Sequence, residues 1–448
     1  KEETVVDLLT AELDKLTTPR KVPAVSSVNT VTDFTGEKEG GEAEPTLSDR
    51  TMALLRGLVL IFRHHGAPEK IIGCLETQVT SYLSICPNEE EWVKSVKHFL
   101  TYPLAKYLRN EPPKSTGRDF HAVGDLKKWL KQRLICFNRK NTHLWYSWFQ
   151  AKRATLPMSE SIVDKTYEDH FAALTRDDDG QDDVIEAILG DPTFQLVLKS
   201  VADEVANTDF DSFVRRQPST NASFECSRRL GGQQQELLNI CHEEPYDVPR
   251  DSELLKMEWF PVRFGRTVQT NVCLETRERY GRDQWGNLMS VRELLVPSLK
   301  EKEVSCTIQA VLEPMKVRVI SKGEALPYYT MRPLQKSLWN ALRRIPCFRL
   351  IGRPFCPTDI CDLKRRADST DEWFSVDYSA ATDGLSWKYS GQILEHCISL
   401  LPQQFQATAM SVLGPHRLHY PSKERGAAPI FKGVMRRGQL MGSILSFP

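Results

Sequence analysis

This sequence lacks paired cysteines, long apolar runs and net charge. Its 11 cysteines are scattered singly and none stands in a C-x-x-C arrangement. That argues against a disulfide framework and a zinc knuckle, and for a reducing compartment. Cys356 and Cys361 are the closest pair, yet no histidine or second pair flanks them at ligand spacing. No apolar stretch approaches the roughly 18 residues that a membrane-crossing helix needs. The sequon Asn221-Ala222-Ser223 has no signal peptide to give it meaning.

Lys plus Arg and Asp plus Glu both number 59, so the total charge says nothing about partners. Its distribution says more. Residues 1–48 hold 5 basic and 10 acidic side chains, whereas residues 301–366 hold 13 basic and 6 acidic. A basic block in a neutral chain is a candidate polyanion surface. The 448 residues suffice for about three domains, and 40% apolar with 26% charged residues is ordinary for a globular protein. The chain opens on Lys1 and stops at Pro448 inside a patterned segment, so it is expected to be a fragment.

Residues 1–16 carry leucines at helical spacing, and 21–48 read as a linker or disordered arm. Helical patterns dominate from there to about residue 210, as at Met52–Phe62, Ile71–Leu83 and Glu91–Leu108. Leu126–Arg153 interleaves basic residues with Trp145 and Trp148. Such a mixture suits a base-stacking groove, but an amphipathic helix with its tryptophans in the core is favoured. The acidic run Asp177–Asp183 fails as a calcium loop, because Asp182 stands where the sixth-position glycine is needed. It is expected to be a solvated loop capping a helix that begins near Val184. From about residue 215, glycine, proline and short β-branched stretches separate the helices, so the class becomes α+β.

Three segments carry chemistry. Pro314–Gly323 reads as a strand with Lys316, Arg318 and Ile320 on one face, Val317 and Val319 on the other, and Lys322 just beyond. Cations so placed suit a triphosphate, and equally an edge strand defended by charge. Pro333 then opens a helix that buries Leu334, Leu338, Leu342 and Ile345. Glu372–Leu385 reads as a strand over Trp373–Tyr378, a turn, and a helix burying Tyr389, Ile393, Cys397 and Leu400 up to Pro402. Asp377 at the strand end suits a hard cation. Read alone, Asp383 is equally compatible with a helix N-cap and Asp377 with a solvated turn. Lys432–Pro448 places Gly438 and Gly442 in a flexible turn behind Arg436 and Arg437, with a helix starting near Ser443.

In this order, the segments resemble motifs F, A and B of viral RNA-dependent RNA polymerases. The wording D-Y-S-A-A-T-D and R-G-Q-L-M-G-S-I-L-S-F-P is similar to that of the narnavirus and ourmia-like (botourmiavirus) group. Asn221–Gly232 and Met331–Gln335 also fit the ourmia-like group. The resemblance covers about residues 220–448. It implies a right-hand polymerase with an arm at 1–48 and a helical region at 49–214. Fingers would span 215–370, and a partial palm 371–448 with a fingers insertion at about 402–432; the thumb is absent. It assigns Asp377 and Asp383 to catalysis, with Asp377 binding Mg²⁺ or Mn²⁺. Lys316, Arg318, Lys322, Asp383 and Ser446 would bind the nucleotide. Arg437, Gly438, Gln439, Met441 and Gly442 would contact template RNA. The implied partners are a single-stranded RNA template, nascent RNA and NTPs, and the implied setting is the host cytoplasm or mitochondrion. The genome would be positive-strand. Motif C lies past Pro448 in this reading, so the fragment is expected to be inactive alone. Reverse transcriptases share the palm, but Asp383 stands near where they place an aromatic steric gate. A non-catalytic RNA-binding viral protein is the other alternative.

Overall fold

The computed structural model describes residues 44–109, 119–135, 139–210, 218–243, 261–264, 267–271, 303–348, 350, 352–368, 370, 381–424 and 427–446. The expected helix at 1–16, most of the 1–48 arm, the strand at 373–378 and Asp377 itself lie outside them. The described residues divide into two compact units, which run over Thr32–Asp169 with Ala310–Val319 and over His170–Gln309 with Ile320–Pro448.

The N-terminal unit is helical. It contains α1 (Leu47–His64), α2 (Glu69–Ser84), α3 (Glu89–Arg109), α4 (Gly124–Ile135), α5 (Arg139–Gln150) and the first part of α6 (Glu160–Thr175). Helix α1 starts at a capping box, in which Thr46 and Asp49 satisfy each other's backbone N–H groups. Its apolar stripe, Leu54, Leu55, Leu58 and Phe62, buries against Ile72, Leu75 and Val79 of α2 and Trp92 and Phe99 of α3. Trp129, Trp145 and Trp148 belong to the same core, and the Trp148 indole donates to the Phe99 carbonyl at 3.2 Å. The tryptophans of Leu126–Arg153 are thus core, as the amphipathic reading expects, and do not form a stacking platform. Arg50 is buried and pairs with Glu89 at 3.1 Å.

The other unit is α+β. After α6 come α7 (Asp182–Gly190), α8 (Pro192–Ala206) and α9 (Gly232–Glu243), then the short antiparallel pair β1 (Pro261–Phe264) and β2 (Thr267–Asn271). Strands β3 (Val304–Glu313) and β4 (Lys316–Gly323) lead into α10 (Ala325–Thr330), α11 (Arg332–Arg343) and α12 (Pro357–Arg366). The described chain then forms α13 (Trp387–Ile398), α14 (Gln403–Leu413), β5 (His416–Tyr420) and β6 (Ile430–Val434). The sheet order is β4-β3-β5-β6. Val304–Thr307 pair in parallel with His416–His419, and β5 pairs antiparallel with β6. Leu198 and Val205 of α8, Leu334 and Leu338 of α11, Leu394 and Ile398 of α13 and Phe405 and Val412 of α14 share one core. The Phe210 and Phe405 rings stack there at 3.9 Å.

Three expectations need correction. Helix α13 buries Gly391, Leu394, Cys397 and Ile398 and ends before Leu400, which is 60% exposed. Cys397 is buried as expected and Ile393 packs against the core in part, but the fully buried apolar positions are Leu394 and Ile398, in the core shared with α8. Asp383 is no N-cap: it lies in the turn before Ser386, the residue that holds that position. Residues 441–446 form successive turns and not a helix. The helix opened by Pro333 forms with Leu334 and Leu338 buried as expected, but Ala341 takes the next buried position, Leu342 is only half-buried, and Ile345 lies beyond the helix end.

His416 opens β5 fully buried. Its Nδ1–H donates to the Gly414 carbonyl at 2.6 Å and its Nε2 accepts from the Tyr328 hydroxyl at 3.1 Å. Both bonds suit a neutral ring. Burial lowers its pKa to about 4, against the opposing pull of the Gly414 bond. Below about 6.5 the unfolded chain binds a proton that the folded chain refuses, so stability is lost as pH falls from there towards 4. The loss expected from this group between pH 7 and 5 is about 2 kcal/mol. Urea unfolding at the two pH values should show it, and His416→Gln should remove most of that difference. An unchanged pH response in the variant refutes the assignment.

Candidate functional site

The site is built around the loop from Met435 to Ser446, whose conformation is fixed by backbone bonds to two other segments. Gly438 N–H donates to the Leu385 carbonyl and Gln439 N–H to the Thr382 carbonyl, both at 2.8 Å. These bonds bracket Asp383 and Gly384 in the turn between them. Gly438 takes a φ of 86° there, and a Cβ would lie 2.7 Å from the Leu174 side chain and 2.9 Å from the Asp383 carbonyl oxygen. Only glycine meets both demands. At the loop's far end, Gly442 N–H donates to Ser321 Oγ on β4 at 3.0 Å. The segment resembling motif B therefore touches both the end of the motif A-like segment and the strand of the motif F-like one.

Individual side chains depart from their expected use. Arg437 does not reach outward: its side chain is 11% exposed, its Nε and Nη2 donate to the Gly384 carbonyl at 3.2 and 2.9 Å, and its Nη1 pairs with Asp179 at 2.5 Å. A guanidinium so engaged has few donors left for RNA. Gln439 is buried, whereas Met441 is 40% exposed. Ser446 Oγ donates to the Leu440 carbonyl at 2.8 Å, closing its own turn. Asp383 accepts from the Thr382 hydroxyl at 3.2 Å and is half-buried. Burial pushes the nearby His170 imidazole down, and the Asp383 carboxylate pulls it back up. His170 Nδ1 lies 2.8 Å from the Tyr420 hydroxyl.

Of the expected phosphate-binding cations, Lys322 lies on β4 next to Ser321, in the same unit as the loop. Lys316 and Arg318 lie on the hairpin tip, which belongs to the N-terminal unit. Both are exposed, as the strand alternation predicts. Arg318 Nε pairs with Glu313 at 2.9 Å, an exposed pair of little stability value. Lys316 has company that the sequence did not reveal. Partial burial and the charges of Lys316 and Lys152 push the Lys97 ammonium below its ordinary value. Among the described residues no group of three or more His, Cys, Asp or Glu side chains is placed to hold a metal ion.

The two remaining segments brace this arrangement. Gln335 Nε2 donates to the Ile444 carbonyl at 2.7 Å. Phe224 N–H donates to the Gly323 carbonyl at the end of β4 at 3.0 Å. The buried Glu236 carboxylate accepts from Glu225 N–H at 3.0 Å and Ala325 N–H at 2.6 Å, tying the 218–232 loop to the start of α10. The acidic run at 177–183, expected to be merely solvated, meets the site through Arg436, Arg437 and the start of α13.

The chain is similar to the RNA-dependent RNA polymerase of Ourmia melon virus (isolate Melon/Iran/VE9), with 31% identity over 358 residues, 74% of this chain and 38% of that protein. It thus spans well under half the length of that relative. No family model matches the chain, and no solved structure matches it significantly.

Proposed function

We propose that the chain is the fingers and first part of the palm of a viral RNA-dependent RNA polymerase of right-hand fold, in the narnavirus and ourmia-like group. The polymerase copies a positive-strand RNA genome by template-directed nucleotidyl transfer from NTPs. The observation that carries this reading is the meeting of three segments at one loop: Gly438 and Gln439 on the Thr382–Leu385 turn, and Gly442 on β4. The similarity to the Ourmia melon virus polymerase supports it.

In this reading Asp377 holds Mg²⁺ or Mn²⁺, which when bound supplies charge neutralisation at the reacting phosphate. The chain's own residues supply position and charge. Asp383, fixed in its turn, accepts from the ribose 2′-hydroxyl, the group that marks RNA. Lys316, Arg318 and Lys322 hold the triphosphate. The loop's exposed Met441 faces the template, and Ser446 can exchange its Leu440 bond for one to the nucleotide. Replication in the host cytoplasm belongs to the same proposal.

The complete polymerase carrying this chain should extend RNA on an RNA template with NTPs. Absence of templated incorporation while RNA is still bound overturns the reading. Arg318→Ala should raise KM for NTPs by roughly tenfold through loss of a charge-assisted contact. Because its partner Glu313 is exposed, the unfolding midpoint should hardly move. An unchanged KM removes Arg318 from the nucleotide site.

A further inference from the structure

The contacts of the acidic run are more specific than a solvated loop requires. Helix α13 follows the turn that carries Asp383, and Ser386 at its N-cap makes no side-chain capping bond. The cap comes from 210 residues earlier: an Asp178 carboxylate oxygen accepts Lys388 N–H at 2.9 Å, and the other accepts Gly180 N–H at 3.1 Å. One of the helix's orphan donors is thereby satisfied by a carboxylate, the preferred chemistry at a helix N-terminus. Burial would raise the Asp178 carboxyl, but the facing Ser386 hydroxyl and the two N–H groups outweigh it and hold it below its ordinary value, with help from Arg437.

The neighbours of Asp178 repeat the pattern. Gln181 N–H donates to the Tyr389 hydroxyl at 2.7 Å, and Asp182 pairs with Lys388 Nζ at 2.5 Å. Asp179 pairs with Arg437, whose other donors grip the Gly384 carbonyl. Just ahead of the run, the Leu174 carbonyl accepts both Arg436 N–H at 2.8 Å and Arg437 N–H at 3.1 Å. The run therefore holds the Asp383 turn from both ends: through Arg437 at Gly384, and through the first turn of α13 just beyond Leu385. Asp177 differs, since its pair with Arg436 leaves both side chains largely exposed.

We infer that Asp178–Asp182 is a clamp that positions Asp383, so that a segment outside the three polymerase-like motifs sets discrimination at the sugar of the incoming nucleotide. The inference rests on the polymerase reading. Asp178 and Asp179 are positioning residues: they act through Arg437 and α13 and touch no substrate.

The test uses the complete polymerase with Asp178→Ala, Asp179→Ala, the conservative Asp178→Asn and Asp179→Glu, and Asp177→Ala as a control. The first readout is the ratio of kcat/KM for NTPs over 2′-deoxy NTPs. The second is hydrogen exchange at the Gly438 and Gln439 amides, which needs no activity. Either alanine variant should lower the ratio by roughly fivefold or more, through KM for NTPs, and speed exchange by about tenfold. The conservative variants should restore both, and Asp177→Ala should change neither. If Asp178→Ala fails to fold, the largely exposed Asp179 still permits the measurement. Unchanged exchange overturns the clamp. Faster exchange with an unchanged ratio in an active enzyme overturns its role in sugar selection. A wild type without templated incorporation overturns the polymerase reading and this role with it, whereas the exchange data still tell whether the clamp exists.

Discussion

Asp377→Ala in the complete polymerase should abolish nucleotide incorporation while leaving RNA binding intact. The expectation follows from what a carboxylate at that point supplies. Asp377 stands six residues before Asp383, at the end of a β-patterned stretch, and is the chain's candidate for gripping a hard divalent cation. An alanine offers no oxygen. Several kcal/mol of charge stabilisation at the reacting phosphate corresponds to a rate loss on the order of 10³ or more. In the polymerase reading RNA is held by basic side chains and backbone contacts elsewhere, so a filter-binding titration should be unchanged within about twofold. Asp377→Glu keeps the charge but lengthens the arm, and should retain a small residual rate. Incorporation by Asp377→Ala within tenfold of wild type sinks the assignment.

Gly442→Ala should damage stability and activity together. A Cβ at this position would collide with the Ser321 carbonyl oxygen and come within 2.8 Å of the carbonyl carbon and hydroxyl. The obstacle is strand backbone, tied into the sheet beside β3, so it cannot swing aside as a side-chain tip can. Overpacking of this kind costs about 3 kcal/mol. The loop's other end is pinned at Thr382 and Leu385, so relief must come from lifting the loop off β4 at Ser321. A displacement of about 1 Å near the reacting groups is enough for a roughly hundredfold loss of rate. Ser321→Ala offers no rescue, because the clash is with the main chain. Gly190→Ala is the control: nothing lies within 4 Å of a Cβ there, and a helical glycine replaced by alanine is neutral or mildly stabilising. Denaturant midpoints for the two variants, read beside their incorporation rates, decide the matter. Equal stability of Gly442→Ala and wild type is the refuting result.

Local pattern was legible in the sequence wherever one neighbour decides a residue's fate. The stripe of α1, the proline-opened α11 and the alternating exposure of Lys316 and Arg318 all depend on backbone period and burial. Positions that depend on distant partners were not. The acidic run looks solvated because its partners, Arg436, Arg437 and Lys388, lie more than 200 residues further on. Arg437 looks like an RNA contact because a cation beside a glycine loop carries no mark of the carboxylate that will claim it. Residues 441–446 look helical because their apolar spacing is right, yet the loop is committed to β4 and to Gln335. The stripe of α13 is only half legible: Cys397 is buried and Ile393 packs against the core in part, but Leu394 and Ile398 are the buried apolar pair and Leu400 lies past the helix end. The order of the three polymerase-like segments is legible in the sequence, but their meeting is not: it rests on backbone bonds from Gly438, Gln439 and Gly442 to partners about 55 and 120 residues earlier, which no local period encodes.

The β3–β4 hairpin has a consequence for how the protein is made. Its tip carries Met315, 2% exposed and with φ of 58°, into the helical core built by α1 to α5, and Ala310 N–H there donates to the Tyr167 hydroxyl at 2.7 Å. Those helices leave the ribosome first, but the piece that completes their core is encoded about 140 residues after Asp169. At about 5–20 residues per second, that is a wait of roughly seven to thirty seconds. Through it the nascent helical unit carries an apolar socket open to the cell's chaperones, and it closes only once the hairpin has been translated.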